Sequence, residues 1–216
     1  MKIRQWHIGA LVLAGAAAGA LAACNDQVPI LATPETRGVT LDAGPAAADP
    51  RLARQLSELK QSTAKYHDLD VAMEDYPGLV IIEGLTSPDG CVSDAAAGGM
   101  GYHYAGAVAL DDEVDFRTPE LLVYAPVEGG PRTDPQGNPR ARLAAFDYFI
   151  PYSDTWPDGG TAPTSEDMGL AIDPPIDFAP SRFGGWMFHI WLWEHNPDGM
   201  FSNWNSAVPL CEDSPY

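Results

Sequence analysis

Few residues in this chain have the types and spacing that chemistry needs, and the histidines come first. There are five, His7, His67, His103, His189 and His195. If GWMFHIWLWEH (185–195) is a β-strand, side chains alternate. His189, Trp191, Trp193 and His195 then share one face, and Phe188, Ile190, Leu192 and Glu194 the other. His189 and His195 would stand six residues apart, about 20 Å along an extended strand, too far to hold one ion. His195 borders the Asn196-Pro197-Asp198-Gly199 turn and reads as a solvent-facing or turn-capping residue. His103 has Gly101 and Ala105 as same-face neighbours, and such small flanks leave room above an imidazole. If the strands place these faces together, His103 and His189 meet. His67, at a helix end beside Asp68 and Asp70, is the third candidate. Imidazoles joined by Met100 or a carboxylate suit Cu or Zn. Two other readings stay open: structural histidines in polar networks, and an acid–base or organic-ligand pocket. Trp186, Trp191, Trp193 and Trp204, with Asn203 and Asn205, have the composition of a sugar site and equally that of an aromatic core.

Several reaction classes lack their motifs. There is no GxSxG, HExxH, P-loop, GxGxxG or CxxC. In HIWLWEH the His, Glu and His fall at i, i+5 and i+6, whereas an inverted zincin helix needs i, i+3 and i+4. The formal charge of −18 argues against a nucleic-acid partner, since phosphates need Lys and Arg to neutralise them.

The elements that must position these residues follow from periodicity. Asp49-Pro50 reads as an N-cap with proline at the first helical position. Leu52, Leu56, Leu59, Thr63 and Tyr66 then recur at helical spacing. The pattern runs more loosely to Tyr76, with a break near His67-Asp68, and Pro77-Gly78 stops it. Period two follows in 79–84, 101–110, 120–127, 142–151 and 185–195. The fold class expected is α+β: one long N-terminal helix on a curved antiparallel sheet of about five strands, with a small β-barrel as the alternative. Residues 85–100 and 152–184 show no period. The second segment is long enough to be a lid or binding loop.

The N-terminus opens with basic MKIRQWH, continues with apolar IGALVLAGAAAGALAA and ends in Leu21-Ala22-Ala23-Cys24. It resembles a bacterial lipoprotein signal peptide with its lipobox. The resemblance implies cleavage before Cys24, lipidation of that cysteine, and anchoring on the extracytoplasmic side of a bacterial membrane. Residues 1–23 are then the signal peptide, 24–48 a flexible Ala/Pro/Thr-rich tether, and 49–216 a single globular domain. With Cys24 used by lipid, Cys91 and Cys211 remain, and two cysteines in an exported chain most often pair. Two free thiols or a metal pair are the alternatives.

CVSD, GMGYHY (99–104), PELLVYAP, RLAAFDYFIP and HIWLWEHNPDGMFSNWN (189–205) together resemble a family of small exported bacterial proteins. The resemblance runs from YHDLDVAM to Cys211 and implies one domain unit and no particular activity. The function expected is therefore that of a membrane-anchored cell-envelope lipoprotein with a non-catalytic binding or envelope role. The alternative is an enzyme or metal-binding protein using His103 and His189 under the 152–184 loop.

Overall fold

The computed structural model describes residues 49–106, 111–127, 137 and 139–212. The expected signal peptide, the tether and Cys24 lie outside the described residues, as do the end of the 101–110 segment and most of the 128–140 loop.

Helix α1 (Pro50–Thr63) starts as its sequence dictates: the Asp49 carboxylate accepts the Arg51 N–H at 2.7 Å and Pro50 takes the first turn. Its buried stripe is Leu52, Leu59 and Thr63. The single long helix expected through Tyr76 does not form, and the break falls where the sequence placed one, at His67-Asp68. A 3-10 turn, Ala64–His67, interrupts it, and α2 (Leu69–Asp75) begins afresh. The cause is Asp68, whose backbone is extended and whose carboxylate accepts the Asp70 N–H. A side chain that competes for backbone donors restarts the helix there.

The sheet has seven strands rather than about five: β1 (Gly78–Leu79), β2 (Cys91–Asp94), β3 (Gly98–Ala105), β4 (Leu121–Pro126), β5 (Ala141–Pro151), β6 (Ala179–Ser181) and β7 (Gly185–Ile190). Every pairing is antiparallel, in the order β1-β3-β4-β5-β7-β6, with β2 also on β3. The mixed helix-and-antiparallel-sheet class stands, and among the described residues the sheet is an open path from β1 to β6 rather than a barrel. The expected strand at 79–84 shrinks to two residues, and the irregular 85–100 segment contains β2. The last strand ends at Ile190 rather than His195, because the Trp193 and Glu194 N–H groups both turn back to the Ala144 carbonyl.

Two faces result. One carries Tyr102, Tyr104, Leu122, Tyr124, Phe146, Tyr148, Ile150, Trp186, Phe188 and Ile190, packed with Leu52, Leu59 and Tyr66 of the helical segment. Met168, Leu170 and Phe178 join this same core, so much of the 152–184 segment is packed structure on the helix side. The other face carries His103, Leu121, Val123, Ala145, Asp147, Met187 and His189, the alternate positions. The C-terminal segment 191–211 lies across it. Trp191 and Val208 pack on Val123, Ala125, Ala144 and Ala145, and Trp204 packs beside Met100, Leu121 and Met187.

The cover is fastened at its far end. Cys91 and Cys211 form a disulfide with Cα atoms 5.8 Å apart. Gly99 and Asn205 exchange backbone hydrogen bonds, both 3.1 Å. A Cβ at Gly99 would sit 2.6 Å from Val208 Cγ1 and 2.9 Å from the Pro209 carbonyl oxygen, so glycine is what permits the close approach. Gly101, at φ +100°, serves the β2–β3 bulge that leaves Met100 as the extra residue.

Candidate metal centre

Asp147 and His189 are direct cross-strand partners on β5 and β7. His103 reaches them across β4: it pairs with Val123, and Leu121, two residues before, pairs with Asp147. The three side chains converge. Asp147 Oδ2 lies 3.9 Å from His103 Nε2 and 3.8 Å from His189 Nε2. The imidazole centroids are 5.9 Å apart with the rings at 83°. One ligand atom from each residue falls within a 4.8 Å group. Burial is nearly complete, with 4 %, 2 % and 0 % exposure for His103, Asp147 and His189.

Most of their hydrogen-bonding capacity is not used. Both nitrogens of His103, both nitrogens of His189 and Oδ1 of Asp147 are buried without a partner. Buried polar groups are normally satisfied, and each orphan costs about 1–3 kcal/mol. Five on three adjacent side chains require an explanation.

The titration behaviour follows from burial. Desolvation pushes His103 down to about 4, against a slight opposing pull from the Gly101 backbone. Desolvation, then the neighbouring His103, pushes His189 down to about 3. The Asn203 side chain beside His189 pulls the other way without reaching hydrogen-bond geometry. Asp147 is raised well above the ordinary carboxylate range, chiefly by burial and secondarily by the charge of Glu120. Without an ion, burial thus keeps both imidazoles neutral at neutral pH and favours the protonated form of the carboxyl. Imidazoles in that state are ready ligands, and the carboxyl needs only to lose its proton.

Metal bonds of about 2.0–2.1 Å at tetrahedral angles place neighbouring ligand atoms roughly 3.3 Å apart. The observed 3.8 and 3.9 Å nitrogen–oxygen separations exceed that by about half an ångström, within reach of small side-chain rotations. Two imidazoles and one carboxylate suit a borderline divalent ion.

Other expected participants lie elsewhere. His67 is exposed and meets Trp193 edge-on at 4.3 Å, on the helix side. It is not part of the cluster, because the 3-10 turn holds it at the outer rim. His195 is exposed, as its place beside the turn implied. Trp191 and Trp193 do not share a face, since the strand ends before them. Trp191 stacks on His189 at 5.9 Å, whereas Trp193 lies beneath Lys60 at 4.7 Å. The 152–184 segment does not roof the histidines, though its Pro180 to Phe183 end lines a groove of about 120 Å³ beside them, together with Met100, Met187, Asn203 and Trp204. A larger cleft of about 590 Å³, lined by Glu74, Asp75, Asp111, Glu113, Asp115 and Glu120, opens elsewhere.

Asp147 is the member that sequence reasoning missed. Its signal was present: one charged residue inside the apolar run LAAFDYFI of β5, where burial demands a partner.

No protein-family model matches this chain, and neither the curated proteins nor the solved structures contain a significant match to it.

Proposed function

We propose that the protein is an exported, lipid-anchored binding protein whose folded domain holds one divalent transition-metal ion, Zn or Cu in class, on His103, Asp147 and His189. The observation that carries this reading is the five buried, partnerless nitrogen and oxygen atoms on those three side chains. A polar network would have closed the 3.8 and 3.9 Å gaps into hydrogen bonds. An ion satisfies two imidazoles and a carboxylate at once. The role is binding rather than turnover: a catalytic metal keeps an open position facing a substrate pocket, and here Trp191 and the cover residues seal the face. The leader ending in Leu21-Ala22-Ala23-Cys24 supports export and anchoring.

The test is metal content. Full chain, reduced, denatured and refolded with Zn2+ before reoxidation, should retain one equivalent by elemental analysis. Asp147→Asn, which keeps the shape and loses the anionic oxygen, should lower affinity by roughly two orders of magnitude or more. Less than a tenth of an equivalent in the parent chain would defeat the metal reading. Separately, Cys24→Ser should abolish lipid labelling and release the protein from membranes. Unchanged membrane association would remove the anchor.

A further inference from the structure

We propose that metal insertion precedes formation of the Cys91–Cys211 disulfide, and that the closed disulfide then traps the ion. The inference rests on the metal reading and adds the order of events.

An ion reaching His103, Asp147 and His189 has two directions of approach. From the helix side it would have to cross the sheet itself, behind which Phe146, Tyr148 and Phe188 are packed. From the other side, among the described residues, it meets chiefly the 191–211 cover, with the Pro180–Phe183 segment at its edge. That cover is continuous with β7 at one end and bonded to β2 at the other. Between the two anchors it is held by non-covalent contacts. The Trp191 indole N–H donates to the Ser202 carbonyl at 2.6 Å, Gly99 and Asn205 pair, and Val208 seats on the alanines of β4 and β5. The Cys211 N–H also donates to Ser93 Oγ at 3.0 Å, beside the disulfide. With both ends fixed, the cover can lift only by bowing. With free thiols it can swing away from Cys211 back toward the Asn196–Gly199 turn, baring the histidines.

The groove beside Asn203 marks where the cover is thinnest. Its volume of about 120 Å³ accommodates a few waters, and it ends at residues flanking His189 rather than at the cluster. A hydrated divalent ion must shed water to pass, which favours uptake while the cover is open. Closure is then a thiol–disulfide exchange. Two thiols of the chain lose two protons and two electrons, and an incoming disulfide oxidant accepts them and leaves as a dithiol.

The experiment compares the two orders on the full chain, with Zn2+ as the probe ion. One sample is refolded reduced with one equivalent of Zn2+ and then oxidised with a glutathione disulfide. The other is oxidised first and then given Zn2+. The metal-first sample should release its ion to a chromophoric chelator at least tenfold more slowly than the same sample reduced with a phosphine. The oxidised-first sample should load at least tenfold more slowly than reduced chain. Cys91→Ala/Cys211→Ala, which excludes zinc held by the thiols themselves, should load and release at the fast rate in either order. If that double variant does not fold, Gly99→Ala keeps the disulfide, displaces Val208 and Pro209, and should speed release with the bond intact. One ion per chain with identical rates in both redox states overturns the trapping inference and leaves the metal reading standing. No uptake in either order overturns both.

Discussion

The two faces of the sheet are built from the same strands and are satisfied in opposite ways. On the helix side, polar groups of the tyrosines reach outward to specific partners. Tyr148 donates to the Phe116 carbonyl at 2.6 Å, Tyr76 to the Pro119 carbonyl at 2.9 Å, Tyr124 to the Tyr66 carbonyl, and Tyr66 to Asp75. On the covered side, His103, Asp147 and His189 are equally buried and make no hydrogen bond through five of their polar atoms. The same chain that places each tyrosine hydroxyl within reach of a carbonyl leaves an imidazole pair and a carboxyl facing one another at 3.8–3.9 Å. Among the described residues, the helix side satisfies its buried tyrosines and leaves only scattered atoms, Trp193 Nε1 and Glu120 Oε2, without a partner, whereas the covered side gathers five on three neighbouring side chains.

The largest stability effect expected is at Trp191, which belongs wholly to the covered side. It stacks on His189 and its indole N–H holds the cover at Ser202. Trp191→Ala should cost about 3–5 kcal/mol in denaturant unfolding, as a large core truncation. Trp193→Ala removes a half-buried ring on the helix side, against His67 and Lys60, and should cost less than half as much. Equal losses at the two positions would show that the cover contributes no more than the rim.

A pH series probes the covered side next, because burial there shifts three titrating groups at once. In the unfolded chain, histidines gain protons below about pH 6.5 and Asp147 loses its proton above about pH 3.9. In the folded, metal-free chain, burial keeps His103 and His189 neutral down to about 4 and 3 and keeps Asp147 protonated well above its ordinary range. Below about pH 6.5 the unfolded chain binds the extra histidine protons, which offset the protons that the folded chain holds on Asp147 and Glu120, so stability changes little there. Above about pH 6.5 that contribution is spent. The folded chain alone then holds protons on its buried carboxyls, Asp147 chief among them, so stability falls as pH rises. Glu120, pushed up to about 8 by burial, acts in the same direction. Metal-free protein should therefore melt lower at pH 8 than at pH 6.5. With an ion bound, Asp147 is ionised in the folded chain too, so its part of the decline disappears and each ion bound releases one proton. A metal-free melting temperature that rises between pH 6.5 and 8 would contradict the burial of a protonated Asp147.

How far the sequence foretold this depends on which interactions are local. Period two identified β4 and β5 nearly to the residue, and it placed His103 and His189 on strand faces able to meet. Cysteine counting led to Cys91–Cys211. The small flank at Gly101 pointed to His103 for a reason that is only partly right, since Gly101 also serves a bulge. Asp147 was not found, because a period tells which face a residue occupies and not which strand lies beside it. The β5–β7 neighbourhood closes over more than thirty residues that carry no pattern. β2 and β6 were missed as short elements, and β6 even contains Pro180, which an edge strand tolerates. The break at Asp68 needed a capping hydrogen bond to prevail over a continuing apolar stripe. The exchange of Trp193 to the helix side required the turn onto Ala144, which no alternation signals.

The smallest effects expected are also those that oppose the faces most directly, because they should carry opposite signs. Tyr148→Phe removes a hydroxyl that donates to the Phe116 carbonyl in a fully buried setting. The carbonyl left behind loses its partner, so the substitution should destabilise by about 1–2 kcal/mol. Asp147→Val removes a carboxyl whose Oδ1 has no partner to lose. The histidine nitrogens it faces are already unpaired, so nothing further is orphaned, and a β-branched side chain suits the middle of β5. The metal-free variant should be more stable than the metal-free parent by about 1–2 kcal/mol at pH 7.5, while holding no ion. Chemical denaturation of the pair with chelator present measures both signs in one experiment. A loss at Asp147 as large as that at Tyr148 would mean that the carboxyl already bonds within the fold, and that the covered side is a finished polar core like its counterpart.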